Sequence, residues 1–172
     1  MIRTGGHTVI AIAVPELDAV VRERTERYDA SFVSADDGFG HAHVTLLGPW
    51  LPDPGPADLD RVGGVVAAEP AFDFALTRAE QTSRGLLMLV PEPAAPFERL
   101  TAALAAAFPE TPPYAGEFEP RPHLTLDHVD TGASLASLAA EVVLPVASRA
   151  TEVQLQRWAN DDCRVLHTWG LG

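Results

Sequence analysis

The feature that most constrains the fold of this chain is an internal repeat. The tripeptide Val-Pro-Glu at positions 14–16 recurs seventy-six positions later at 90–92, and Thr25 recurs as Thr101 at the same offset. Each tripeptide follows a short apolar run, which is typical of a buried strand, and each precedes a segment with proline near its start, where a helix tolerates it. A chain that repeats its elements in this way is expected to fold into two similar halves.

The two halves, approximately residues 8–80 and 85–157, contain the same predicted elements in the same order. Each follows the pattern strand, helix, strand, helix, strand, and a closing strand is predicted near the C-terminus. The predicted strands are 9–14, 42–47, 71–80, 86–90, 122–126, 148–157 and 164–170, and the predicted helices are 15–28, 57–66, 96–108 and 133–143. Because no flexible linker separates the halves, residues 1–172 are expected to form a single bilobal domain. The predicted fold class is α+β, with two similar βαβ-type lobes related by a pseudo-two-fold axis.

Each half carries the same polar pair in its second predicted strand. His43 and Thr45 flank a valine in the first half, and His123 and Thr125 flank a leucine in the second. Side chains two residues apart on a strand point to the same face, so each strand presents an imidazole beside a hydroxyl while the apolar residue between them points into the core. If a two-fold axis relates the lobes, the two His-x-Thr strands line one central groove.

The segments 43–50 (His-Val-Thr-Leu-Leu-Gly-Pro-Trp) and 122–126 (Pro-His-Leu-Thr-Leu) resemble the paired signatures of the 2H phosphoesterase superfamily. This superfamily includes the 2′-5′ RNA ligase-like and cyclic phosphodiesterase proteins, and the resemblance extends over most of the chain. It implies two α+β lobes about a pseudo-two-fold axis, with the His-x-Thr strands along the groove. It also implies action on 2′,3′-cyclic, 1″,2″-cyclic or 2′-5′ phosphodiester linkages, with no metal and no other cofactor.

The motif residues suit this chemistry. Hydrolysis of a cyclic phosphodiester needs a base that activates water and an acid that protonates the departing ribose oxygen, and imidazole can do either near neutral pH. We therefore predict His43 and His123 as general acid and base, in an order that the symmetric pair leaves open. Thr45 and Thr125 are predicted to donate hydrogen bonds to the non-bridging phosphate oxygens.

Several residues near the motifs are further candidates for substrate binding. Arg121, two residues before the second motif histidine, can donate charge-assisted hydrogen bonds to a phosphate, and Arg84 is a second cationic candidate. His41 shares the strand parity of His43 and is a candidate for the edge of the groove. Aromatic side chains can stack on a nucleobase. Those in loops that flank the motifs are Trp50, Tyr114 and Phe118.

The residues leave two alternatives open. His41 and His43 have a spacing that suits two metal ligands on one strand, and His123 could complete the site, which would make the protein a metal-dependent phosphohydrolase. The second alternative is a domain of the same fold that binds a nucleotide without chemistry. Retention of both histidines and both threonines favours an enzyme.

Composition bears on the partner and the compartment. The chain has 24 acidic and 12 basic residues, all of the latter arginine, and a net charge of −12. Because binding to long nucleic acids or anionic membranes requires many positive contacts, we expect neither, and instead expect a small nucleotide or an RNA-end phosphodiester. The single Cys163 excludes an internal disulfide, and no apolar run suits a signal peptide or a membrane span. We expect a monomeric, cytoplasmic protein.

Overall fold

The computed structural model describes residues 6–117 and 119–172. Within these residues one antiparallel sheet of eight strands packs against four α-helices, which agrees with the mixed α and β composition predicted from the sequence. The strands are β1 (His7–Ala13), β2 (His43–Leu47), β3 (Phe72–Gln81), β4 (Leu86–Glu92), β5 (Leu124–His128), β6 (Val146–Ala150), β7 (Glu152–Trp158) and β8 (Arg164–Gly170). The helices are α1 (Asp18–Asp29), α2 (Pro56–Ala67), α3 (Ala95–Ala107) and α4 (Leu135–Glu141).

The two halves of the sequence interleave in the sheet. The strand order is β6-β3-β4-β5-β2-β1-β7-β8. The third strand of the first half, β3, pairs with β4 of the second half, and β7 of the second half pairs with β1 of the first. This differs from two separate βαβ units, because β3 of the first half pairs only with strands of the second half, and β7 of the second half pairs with the first strand of the first half. The β2–β5 contact lies at the centre of the order, and a two-fold axis through it stays a prediction.

The extended segment predicted at 148–157 forms two strands instead of one. Its first part belongs to β6, which pairs with β3 at one edge of the sheet, and its second part belongs to β7, which pairs with β1. Only Thr151 separates these strands, although they are first and seventh in the strand order. The sheet therefore has to curl until the two strands meet at this residue, with the twist that antiparallel sheets have in any case.

The strands contribute side chains to two cores, one on each face of the sheet. In β1, Ile10 and Ile12 join the main core, whereas Val9 and Ala11 join a smaller cluster on the other face. This alternation follows the two-residue period of a strand. The helices supply the rest of the main core; α3 does so with Phe97, Leu100 and Leu104, which recur at the three- and four-residue spacing of one helix face.

Most element boundaries agree with the predicted ones within a few residues. The segment predicted as a helix at 15–28 begins with a 3₁₀ turn, Pro15–Leu17, before α1. β5 begins one residue after His123, so this histidine lies at the entrance of the strand predicted to contain it. None of the helices in the described part of the chain is long and apolar enough to cross a membrane.

Candidate active site

The two His-x-Thr motifs lie side by side at the centre of the sheet. Their middle residues, Val44 and Leu124, pair in antiparallel register between β2 and β5. The residues on either side of this pair are also opposite each other, so the histidine of each motif lies opposite the threonine of the other. Because Val44 and Leu124 both point into the main core, the four motif side chains belong to the opposite face of the sheet.

Both motif strands contain a β-bulge at the same point. Leu46 in β2 has no partner on β1, and Leu126 in β5 has no partner on β4. Each is the buried leucine that follows the motif threonine. A bulge bends its strand and changes the direction of the side chains beyond it. As a result the next residues, Leu47 and Asp127, are buried too, and the polar face of each strand ends at the threonine.

Both motif histidines are oriented by the backbone two residues earlier. Nδ1 of His43 lies 2.9 Å from the carbonyl oxygen of His41, and Nδ1 of His123 lies 2.7 Å from that of Arg121. Because a carbonyl can only accept, Nδ1 carries the proton, and Nε2 of the neutral ring is an acceptor. Neither Nε2 has a hydrogen-bond partner within residues 6–117 and 119–172. Each Nε2 can therefore exchange a proton with a substrate or a water.

Burial lowers the pKa of both rings. The pKa of His43 falls to about 4, mainly because burial disfavours the charged form, and repulsion from His123 lowers it further while the bond to the His41 carbonyl opposes the shift. The pKa of His123 is lowered by burial too, with a smaller effect from the charge of Arg121. Both rings are thus neutral near pH 7 in the free protein, and a bound phosphate anion would raise the pKa of each.

An aromatic ring lies against each histidine. The Trp158 and His43 ring centroids are 5.5 Å apart, and Tyr114 stacks on His123 with centroids 6.1 Å apart and planes inclined by 20°. Tyr114 is placed by its backbone N–H, which donates to the Gly48 carbonyl at 2.8 Å, and burial raises its pKa to about 12. Tyr114 was among the predicted binding residues and Trp158 was not, because Trp158 is far from both motifs in the sequence.

Two clefts are bordered by three of the four motif residues, and His123 lines neither of them. The first, of about 460 Å³, extends from His43 and Thr125 along α1. The second, of about 310 Å³, extends from Thr45 along α3 and is bordered by Tyr114 and Arg121. Both volumes are in the range of sites for small ligands. We refer to them below as the α1 cleft and the α3 cleft.

The remaining predicted binding residues have different environments. Arg121 is exposed at the α3 cleft and forms an ion pair with Glu80 at 2.7 Å. Arg84 is exposed and borders neither the α1 nor the α3 cleft, although its backbone carbonyl lies 2.7 Å from Nε2 of His128. Phe118 lies outside the described residues. Arg121 is thus paired with Glu80 and Arg84 borders neither cleft, so neither arginine brings an unpaired positive charge to the motif side chains.

The assignment of Trp50 as a base-stacking residue has to be corrected. Its side chain is only 4% exposed and belongs to the main core. Its ring packs edge-on against Phe108, with centroids 5.2 Å apart. Burial of a large ring stabilises a core more than a loop contact would, and it leaves no face of this indole open to a ligand.

His41 lies in the wall of the α1 cleft but is almost fully buried. Its exposure is 1%, and its Nε2 accepts the backbone N–H of Ser34 at 3.1 Å. Because Nε2 is used as an acceptor, the proton of the neutral ring is on Nδ1, which lies 3.8 Å from Oδ2 of Asp18 and has no hydrogen-bond partner in the described part of the chain. Among the described residues, no three His, Cys, Asp or Glu side chains lie close enough together to hold a metal ion.

A buried polar network that was not predicted from the sequence lies at the α1 cleft. Arg24 forms ion pairs with Asp127 and, at 2.6 Å, with Glu141. The hydroxyl of Tyr28 donates to the Asp127 carboxylate at 2.8 Å, and that of Thr131 at 2.7 Å. One signal was available, because the residue two positions after the motif threonine is a leucine in the first half and an aspartate in the second.

Comparison with known proteins bears directly on this arrangement. The family model of the 2′-5′ RNA ligase superfamily matches residues 14–162. The chain belongs to this superfamily. The 2H phosphoesterase membership expected from the two motifs is therefore confirmed.

Several solved structures have a similar fold. One is Escherichia coli LigT complexed with 3′-AMP, which is 20% identical with a TM-score of 0.56 over 96% of this chain and 98% of that chain. A phosphoesterase is 19% identical with a TM-score of 0.58 over 96% and 98%. The protein TT0787 of Thermus thermophilus is 19% identical with a TM-score of 0.58 over 96% and 97%. No curated protein sequence matches this chain. At these identities the similarity is one of fold.

Proposed function

We propose that this protein is a metal-independent phosphodiesterase that hydrolyses a cyclic 2′,3′-type or a 2′-5′ phosphodiester in a nucleotide or at an RNA end. The observation that carries the proposal is the pairing of Val44 with Leu124, because this register sets each motif histidine opposite the threonine of the other motif. Membership of the 2′-5′ RNA ligase superfamily supports chemistry on phosphoesters.

The proposed reaction is an in-line displacement at phosphorus. One neutral imidazole accepts a proton from water through Nε2 while the water oxygen forms a new bond to phosphorus. The bond from phosphorus to the ribose oxygen breaks, and the other imidazole, protonated when the anionic substrate is bound, gives its proton to that oxygen. The hydroxyls of Thr45 and Thr125 donate to the non-bridging oxygens, where negative charge develops. The products are a phosphomonoester and a free ribose hydroxyl.

Charge supports a small substrate over an RNA polymer. The chain has a net charge of −12, and Arg121, the arginine at the α3 cleft, is already paired with Glu80. A long strand would bring many phosphates that this surface cannot neutralise. Escherichia coli LigT, which has a similar fold, has been crystallised with 3′-AMP, NADP⁺, ATP and phosphate. The clefts beside the motif residues, of about 460 and 310 Å³, are in the range of sites for small ligands.

A turnover screen tests this proposal. The substrates are the four 2′,3′-cyclic mononucleotides, ADP-ribose cyclic phosphate and 2′-5′ dinucleotides, each assayed with and without EDTA. We expect hydrolysis of at least one class, at the same rate in EDTA, and turnover by His43→Ala that is slower by about 10²–10⁴-fold. Loss of turnover in EDTA would support the metal-dependent alternative, and binding without turnover by the wild type would support the non-catalytic one.

A further inference from the structure

We infer that the α1 cleft is a nucleobase subsite in which Tyr28 provides the stacking wall and the buried Arg24–Asp127 pair holds Tyr28 in position. The inference rests on the proposed function, because it states where the base of the nucleotide substrate lies relative to its phosphate. It adds a substrate-binding residue and two positioning residues that neither motif contains.

Tyr28 combines exposure with a fixed position. Its side chain is 47% exposed at the α1 cleft, which also contains His43. Its hydroxyl nevertheless donates to Oδ2 of Asp127 at 2.8 Å. An exposed ring that is already tethered loses little conformational freedom when a ligand stacks on it, so more of the contact energy appears as affinity.

Asp127, which accepts the hydrogen bond from the Tyr28 hydroxyl, is an unusual residue for its position in the fold. Asp127 is 6% exposed and accepts hydrogen bonds from Arg24, Tyr28, Thr131 and the backbone N–H of His128. The first half of the repeat has an apolar leucine at the equivalent position. A buried ion pair is seldom more stabilising than well-packed apolar side chains of the same volume. A stability role alone therefore does not account for the aspartate, whereas a role in holding Tyr28 does.

The lining of the cleft suits a flat, uncharged ring. Its apolar surface includes four large side chains from different segments of the chain: Phe32, Leu86, Leu126 and Trp158. Arg24 is the one arginine among its described lining residues, and its charge is matched by Asp127 and Glu141. Asp29 at the rim adds negative charge. A second phosphate would be repelled here, while a base can stack and leave its phosphate at His43 and Thr125.

The test compares a substrate with a base against one without it. The substrates are adenosine 2′,3′-cyclic phosphate and methyl ribofuranoside 2′,3′-cyclic phosphate, which lacks the base. For Tyr28→Ala we expect KM for the nucleotide to rise about 5- to 100-fold with kcat unchanged, as expected for one base–aromatic contact. KM for the base-free analogue should stay at the wild-type value. Val143→Ala, at a site 84% exposed beyond α4, is the control and should change neither substrate's kinetics.

The positioning role of the ion pair has its own readout. Tyr28→Phe keeps the ring and removes the bond to Asp127, and Asp127→Asn keeps the volume and weakens the same bond. Both should raise KM for the nucleotide by less than Tyr28→Ala does, and neither should affect the base-free analogue. Each variant is assayed below its thermal unfolding midpoint, measured by circular dichroism, so that loss of folded protein is not counted as loss of affinity.

Two results would overturn the inference. An equal rise in KM for both substrates would show that Tyr28 acts on the phosphate site, and an unchanged KM for both would place the base elsewhere. If the wild type turns over neither substrate, the turnover screen above decides the proposed function, and the subsite is tested separately by equilibrium binding of adenosine 3′-monophosphate. Weaker binding by Tyr28→Ala than by wild type would then support the subsite, and equal binding would refute it.

Discussion

At the scale of single residues, the candidate site depends on two imidazoles held in the same way. In each, a carbonyl two residues earlier accepts from Nδ1 and leaves Nε2 for chemistry. This contact is local, since it uses only the backbone immediately before the motif strand. It therefore orients the ring whether or not a substrate is bound, and no other side chain is needed to set the tautomer.

His43→Ala and His123→Ala should each lower kcat by about 10²–10⁴-fold, the usual effect of removing a general acid or base. The double variant should lose less than the product of the two factors, because groups that act together are not additive. Steady-state kinetics on the best cyclic substrate measures both effects. Thermal unfolding is the control and should change little, since both rings lie on the partly exposed side of their strands. Near-wild-type rates in both variants would remove the acid–base assignment.

The pH dependence of kcat/KM, which reports on the free protein, should differ from that of kcat, which reports on the substrate-bound protein. The pKa of His43 is about 4 and that of His123 is lowered, so the free protein holds one proton on the pair only at acidic pH. We expect a bell-shaped kcat/KM profile with its maximum below the ordinary histidine pKa of about 6.5. The substrate anion raises both values, so the kcat maximum should lie at higher pH, about 6–7.5. A rate that rises steadily to pH 10 would contradict this.

At the scale of elements, the loop before β2 is fitted closely to the sheet. The backbone N–H of Gly40 donates to the Gln154 side chain at 3.3 Å, and its carbonyl accepts from the Gln156 side chain at 2.8 Å. Both glutamines are buried on β7. The loop leads directly into the tether of His43, so its seating on the sheet contributes to the geometry of the site.

Gly40→Ala should destabilise the protein. A Cβ at this position would lie 2.5 Å from the Cβ of Ala13, so the loop or β1 has to move, and overpacking of this kind costs about 1–3 kcal/mol. Urea unfolding measures the change. Gly64→Ala in α2 is the matched control, because nothing lies within 4 Å of its added Cβ, and it should stabilise by about 0.4–1 kcal/mol. If both variants shift stability equally, close packing of the loop is not the reason.

At the scale of the whole molecule, the buried ion pairs join parts of the chain that are far apart in sequence. Arg24 on α1 contacts Asp127 on β5 and Glu141 on α4, which are separated from it by 103 and 117 residues. These contacts connect the first helix of one half to a strand and a helix of the other. The stability of the protein therefore depends on Arg24 and Asp127, the same residues that we propose to position Tyr28.

Asp127→Leu, which restores the residue type of the first half, should destabilise the protein by about 3–5 kcal/mol, because it leaves Arg24 buried with a single, partly exposed partner. Arg24→Met combined with Asp127→Leu should recover most of that loss, since no buried charge then remains. The free energies of unfolding in urea for the two single variants and the double variant give the coupling directly. A double variant no more stable than Asp127→Leu would contradict this explanation.

The interleaved strands predict that neither half folds alone. Fragment 1–83 would lack both partners of β3, and fragment 84–172 would lack the partner of β6 and one of the two partners of β7. We expect each fragment to lack cooperative thermal unfolding by circular dichroism, while the full chain should unfold in one transition, as a single domain does. A cooperative transition in either fragment would show that the halves are independent domains.

Much of the fold and the site could be predicted from the sequence because the relevant signals are local. Apolar periodicity and proline placement located the helices and most strands within a few residues, since these follow from backbone geometry over one or two turns. The internal repeat placed a His-x-Thr pair at the same point in both halves. The alternation of polar and apolar residues then determined which side chains face away from the core.

Only the tertiary structure decided what depends on contacts between distant segments. The Val44–Leu124 register, the division of 148–157 into β6 and β7, the core position of Trp50 and the contact of Trp158 with His43 all depend on which strands become neighbours. The buried network of Arg24 and Asp127 joins residues 103 apart, and neither shows a local pattern that names the other. Strand pairing and buried charge compensation are set by long-range packing, because their free energy is gained only once the whole sheet has curled and closed around its core.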